Sequence, residues 1–369
     1  MKRLFVVLAA AVCGLLSVNA QTNNVIWLNG SAVVGQSVNQ VDSLNKATVE
    51  GADTLCLLLP RMAVERETVT IAKMVHETVF IRDTVKADTP DIPEGALNGA
   101  FSVSADKKVH FSRGNLQYTQ SSQTWAFAEH QYDIIGTDNV TGGNVTFDAK
   151  YGYETKSSTA LADKIDLFGW SGSTATAKWG VSTSTQETDY SGDFADWGAN
   201  IGDGKTWYTL SKDEWEYVLK GRTNATNLNG AARINLNDDG TEYINGVVLL
   251  PDDWTCPAGL TLKSGFTSGL SSVQAFADVQ QISLSDWQQL ENAGAVFFPA
   301  TDYRHPCMDV MNVQYEGYYW SATSEMVSYP EGSYTSIEYY YANFYSTGVR
   351  VSDHWVYTGL AVRLVTTVE

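Results

Sequence analysis

The sequence predicts an α+β fold. Three observations carry that prediction. Residues 97–369 read mostly as short strands broken by turn-rich loops, and only two segments in them have helical periodicity. The chain also holds 11 Trp, 19 Tyr and 13 Phe against 8 Pro, which suits a compact domain with wide aromatic contact area rather than a disordered stalk.

Residues 1–20 have the layout of a secretory signal: Lys2 and Arg3, an apolar stretch from Leu4 to Leu16, and the small-residue site Val18-Asn19-Ala20. Export is therefore expected, to the periplasm, the cell surface or the outside. The apolar stretch is shorter than the roughly 20 residues that a spanning helix needs, and no later run approaches that length, so no transmembrane segment is expected. Cys13 has Val12 before it, where a lipid-transfer site wants a small residue, and is expected to leave with the signal.

Residues 21–90 read as a small β-element followed by an extended spacer. Val25-Ile26-Trp27-Leu28, the turn pair Asn29-Gly30 and Ala32-Val33-Val34 make a hairpin pattern. A weak repeat follows in Glu67-Thr68-Val69-Thr70-Ile71, Glu77-Thr78-Val79-Phe80-Ile81 and Asp83-Thr84-Val85, where β-branched residues alternate with charges as in extended chain. Two prolines and a glycine then mark a boundary, with residues 91–96 as linker and 97–369 as one domain.

In that domain the first helix is expected around Thr209–Leu219. Ser211 and Glu214 have capping-box spacing, and Trp215, Val218 and Leu219 form one apolar face. The second runs from Ser283 through Leu284, Trp287 and Leu290 to Ala293, with Gly294 where a left-handed cap belongs. Ala295-Val296-Phe297-Phe298-Pro299 has the length and composition of a buried strand, and Gly359–Val365 alternates as a closing strand.

Charge narrows the partners. With 42 Asp and Glu against 24 Lys and Arg there is no basic stripe for phosphates, so nucleic acid is not expected. Asn235-Leu236-Asn237-Asp238-Asp239-Gly240 opens like a calcium loop, but its twelfth position is Gly246 instead of Glu, and Asp239-Gly240 reads better as a hairpin turn. Calcium is thus unsupported, and no cofactor is expected. The five histidines are scattered and no catalytic motif is present. For the three remaining cysteines two readings stand: a bridge between Cys256 and Cys307 with Cys56 left over, or three small buried hydrophobes.

Asp166–Trp170, Trp207–Trp215, Val248–Trp254, Ala293–Ala300, Tyr303-Arg304, Gly317–Thr323 and Ala361–Val365 fall in an order and spacing that resembles the secreted major-paralogous-domain proteins of Gram-negative gut bacteria. The blocks span nearly all of residues 97–369. That family resembles the C-type-lectin-like fold shared with formylglycine-generating enzymes and phage tropism determinants. The resemblance implies two helices beside small twisted antiparallel sheets, first and last strands paired, and a long-loop face that holds a ligand. The formylglycine-generating enzymes use a close cysteine pair near the C-terminal end, whereas only Cys307 lies there in this chain, so an enzyme is not expected.

Tyr315–Tyr345 is rich in tyrosine, which supplies rigid amphipathic contact area. The two-residue strand period sends alternate rings inward, so about half should be core, and Trp320 is expected to be structural. By position in the implied fold, ligand contact falls to Tyr303, Arg304, His305, Tyr315, Tyr339 and Tyr341, with Arg304 either clamping a carboxylate or pinning a loop. The expected function is recognition of a glycan or protein ligand at the cell surface. A structural subunit of a surface assembly or pilus tip is the alternative, and a formylglycine-generating-type catalyst a distant third.

Overall fold

The computed structural model describes residues 27–28, 31–32, 43–49, 52–58, 92–141, 145–148, 153–156, 160–265, 276, 279–305, 310–311, 314–328 and 335–368. The chain divides into two compact units, Met1–Thr89 and Pro90–Glu369. In the first, Trp27–Leu28 pairs antiparallel with Ser31–Ala32, and Leu28 opposes Ser31, which is the register of a two-residue turn. A second antiparallel pair, Ser43–Val49 with Ala52–Leu58, lies where the sequence suggested only spacer. The repeat at residues 65–86 lies outside the described residues. At the end of the segment read as linker, residues 91–96, the Ala96 amide donates to the Pro93 carbonyl and the Arg113 amide donates to the Gly95 carbonyl. Proline and glycine there build a turn, with Gly95 at φ +90°, that feeds the chain into the second unit.

The second unit is a mixed α and β structure of small sheets. In one, the antiparallel order is Tyr208–Thr209, Leu364–Thr367, Lys108–Phe111, Phe101–Ser102, so the opening hairpin pairs with the last strand. A second has the order Gln280–Ser283, Asn229–Asn235, Tyr243–Leu249, Val296–Pro299, with its first pair parallel. Val296–Pro299 is buried throughout, as expected of a continuous apolar strand covered on both faces. The closing strand begins later than its alternation suggests, at Leu364. The backbone before it is diverted to separate partners: Leu360 bridges Phe168, and Ala361 bridges Tyr319.

Among the described residues there are two α-helices, both short. Helix α1 is Lys212–Glu216 and continues as a π-helical turn over Tyr217–Gly221. Its capping box is complete: the Glu214 amide donates to Ser211 Oγ at 3.2 Å, and the Ser211 amide donates to Glu214 Oε2 at 2.9 Å. Trp215, Val218 and Leu219 are buried. Helix α2 is Leu284–Asn292, capped by Ser283, with Trp287 and Leu290 buried and Gly294 at φ +98° ending it. The Asp239-Gly240 segment is a hairpin turn closed by its own side chains. Asp239 Oδ1 accepts from the Thr241 amide and hydroxyl, and Asn237 Oδ1 accepts from the Glu242 amide.

A three-stranded meander positions the face described below: Glu316–Ser328, Thr335–Tyr345 and Gly348–His354, all antiparallel. Its inner half is packed on both sides. Tyr319, Ala342 and Phe344 join one apolar cluster with Phe111, Trp215 and Phe298, while Tyr318, Trp320 and Tyr341 join another with Trp170, Trp197 and Leu360. Trp320 is fully buried, with its indole N–H donating to the Phe168 carbonyl at 2.7 Å. The third strand covers the second only from Tyr339 to Tyr345. The outer part of the first two therefore projects as a two-stranded arm, beyond an irregularity between Trp320 and Ser324.

Candidate ligand-binding face

The strand Tyr303–Arg304 pairs with Val310–Met311, and Arg304 exchanges both backbone hydrogen bonds with Gly359 at 2.8 and 3.0 Å. Alternation along an extended chain then sets Tyr303 and His305 against Arg304. The Arg304 side chain is fully buried and its Nη2 donates to the Ser182 carbonyl at 2.9 Å, so it pins the 182–190 loop rather than meeting solvent. Nε and Nη1 have no hydrogen-bond partner. Burial pushes the guanidinium below its ordinary value, and the Tyr190 hydroxyl beside it works the other way. Gly359 is required here: a Cβ would lie 2.9 Å from both Arg304 Cβ and Nε.

His354 is the hub of the surface that Tyr303 joins. Its ring centroid is 5.5 Å from Tyr303 and 5.8 Å from Tyr341, and Tyr339 opposes it in the strand register. Tyr303 also meets Tyr318 edge-on at 5.0 Å and His305 at 6.3 Å. His354 Nδ1 accepts from the Trp355 amide at 2.9 Å and from the Thr358 hydroxyl at 3.1 Å, which assigns the ring proton to Nε2. Burial, with a contribution from His305, pushes its pKa down to about 4, so the ring is neutral at pH 7.

After His354 the chain turns, with the Thr358 amide donating to the Trp355 carbonyl at 3.0 Å. Val356 is buried and its carbonyl accepts from the Trp170 amide at 2.7 Å, which fixes the loop to the core. Trp355 and Tyr357 flank it, with ring centroids 5.9 Å apart and planes at 29°. Trp355 is 53% exposed. Behind the face lies an unusual carboxyl. Asp302 is fully buried at φ +69°, and neither side-chain oxygen has a hydrogen-bond partner. Burial, with Glu316 adding to it, holds that carboxyl well above the ordinary range.

Of the residues that the sequence singled out, the structure brings Tyr303, His305, Tyr339 and Tyr341 together around His354. Tyr341 is only 4% exposed and Arg304 is buried, so both stand under the surface and support it. Tyr315 is elsewhere, beside Tyr243, where Gln314 bonds the Asn245 amide and the Tyr243 carbonyl. Cys256 is a free, half-buried thiol whose Sγ lies 3.5 Å from the Leu260 carbonyl, so the considered bridge is not formed at that residue; Cys307 lies outside the described residues. Sequence reasoning missed His354, Trp355 and Tyr357. Their signal was an aromatic, apolar, aromatic run inside the polar stretch from Ser352 to Thr358.

The face can stack flat or apolar groups and bond their edges through the Nε2 proton and tyrosine hydroxyls. No group of three or more His, Cys, Asp or Glu side chains able to hold a metal occurs among the described residues. No family model, curated protein or solved structure matches the chain.

Proposed function

We propose that the chain is an exported, non-catalytic recognition protein, and that its second unit is a C-type-lectin-like domain of the major-paralogous-domain kind. In this reading it binds a glycan or a protein ligand at the cell surface through the face around His354. The single observation that carries the reading is the concentration of Tyr303, His305, Tyr339, His354, Trp355 and Tyr357 on segments anchored to a packed aromatic core. Rings held this way lose little entropy on binding, which is how aromatic paratopes gain affinity. Pairing of the opening hairpin with the last strand and the two short capped helices support the fold assignment. No helix of the described residues is long and apolar enough to cross a membrane.

The alternative, a subunit of a surface assembly, is favoured by one feature. Met326 and Ile337 face each other across the projecting arm and are 73% and 50% exposed. A glycan array and a pull-down from surface extracts separate the two readings. Binding that is lost in Tyr303→Ala and kept in Met326→Lys supports recognition through the His354 face; the reverse pattern supports assembly through the arm.

A further inference from the structure

Four large apolar side chains are exposed among the described residues: Tyr243, Met326, Ile337 and Trp355. Trp355 differs from the others in having a second aromatic ring nearly parallel to it, at 29°, two residues along the same chain. The segment that carries the pair is held at three points. The Trp355 amide is fixed to His354 Nδ1, the Trp170 amide donates to the Val356 carbonyl, and the Thr358 amide donates to the Trp355 carbonyl at 3.0 Å.

We propose that Trp355 and Tyr357 form the stacking platform for an uncharged pyranose ring, with His354 and Tyr339 at its edge. The proposal rests on the recognition reading above and names its ligand class. A pyranose has one face of C–H groups and a rim of hydroxyls, so it needs a flat aromatic surface bordered by donors and acceptors. The exposed face of Trp355 supplies the surface, and the Tyr357 ring stacked against it holds the indole in place. The Tyr339 hydroxyl supplies an acceptor, and the neutral imidazole of His354 supplies a donor through Nε2–H.

Size argues against a protein as the occupant of this platform. A stable protein interface takes about 800 Å² from each partner. One half-exposed tryptophan offers roughly 100 Å², given that a whole aromatic side chain buries about 150–250 Å². Charge argues against an acidic sugar. Glu187 lies close enough to Tyr339 to add to burial in raising the pKa of its hydroxyl, and the whole chain carries a formal charge of −18. A uronic or sialic acid would be repelled there.

The test is calorimetric titration of the full chain with cellohexaose, mannohexaose and a galacturonate hexamer, using wild type, Trp355→Ala and Trp355→Phe. Circular dichroism melting checks that each variant folds. At least one neutral hexamer binds the wild type. Trp355→Ala then weakens it about tenfold or more, equivalent to about 1.4 kcal/mol, while Trp355→Phe stays within about threefold. The galacturonate hexamer binds more weakly than its neutral counterparts. The proposal is overturned if folded Trp355→Ala binds a neutral hexamer as the wild type does, or if the galacturonate hexamer binds best. It also fails if no hexamer binds while a surface protein is captured through Tyr303, a result that leaves the recognition reading standing. Absence of both sugar binding and protein capture removes the two together.

Discussion

At the residue scale, half-buried His354 and fully buried Asp302 are two groups whose pKa values are shifted by their surroundings in opposite directions. The folded pKa of His354, about 4, lies below its ordinary value of 6.5. The folded state therefore favours the neutral ring, and the resulting stability is present above pH 6.5 and lost as pH falls toward about 4. Over the whole interval the loss is on the order of 2–3 kcal/mol. His354→Asn keeps an oxygen acceptor near the position of Nδ1 and removes the titration. Urea midpoints should then fall less between pH 7 and pH 4.5 in the variant than in the wild type; equal falls would contradict the assignment. Asp302 acts the other way. Its folded pKa is raised, so its contribution is favourable below the unfolded value of 3.8 and is lost as pH rises through the folded one. Asp302→Asn removes a buried group that resists ionisation while retaining a residue that tolerates positive φ. It should stabilise the protein by about 1–3 kcal/mol at pH 8, with the gain shrinking toward pH 4. A variant that is destabilised at pH 8 would show that the carboxylate has a cationic partner.

At the element scale, locally encoded features were legible and diverted backbone was not. Helix α1 could be read because Ser211 and Glu214 satisfy each other's amides three residues apart, and helix α2 because Ser283 and Gly294 bracket a single apolar face. The Asp239-Gly240 hairpin was legible for the same reason. The start of the closing strand was not, because Leu360 and Ala361 bond to Phe168 and to the meander instead of to one neighbour. Arg304 was legible as a loop pin or a ligand clamp, and only its partner, Ser182 122 residues away, decides for the pin. Gly359 shows how tight that pairing is. Gly359→Ala drives a methyl group into Arg304 and should cost about 1–3 kcal/mol, measured as a lower urea midpoint. Because Tyr303 and His305 flank Arg304, binding should weaken along with stability. An unchanged midpoint would mean that the strand moves freely against the loop.

At the scale of the whole molecule, the meander links scaffold and surface: its inner half is gripped between two aromatic clusters, and its last strand leads directly into the Trp355 segment. The prominence of the tyrosines between Tyr315 and Tyr345 drew attention to the sheet itself, yet Tyr318, Tyr319 and Tyr341 are consumed by packing. Among the described residues, the most exposed aromatic ring, Trp355, sits on the loop that follows the sheet. Its exposure depends on Val356 being captured by Trp170, a contact that no local pattern announces. Hydrogen–deuterium exchange on the full chain, with and without the sugar or surface protein that binds it, locates the contact without a substitution. Added protection should be concentrated in residues 303–305, 339–341 and 353–358. Protection confined to the projecting arm at 324–328 and 335–338, or to the region of Tyr243 and Tyr315, would contradict the assignment of the His354 face.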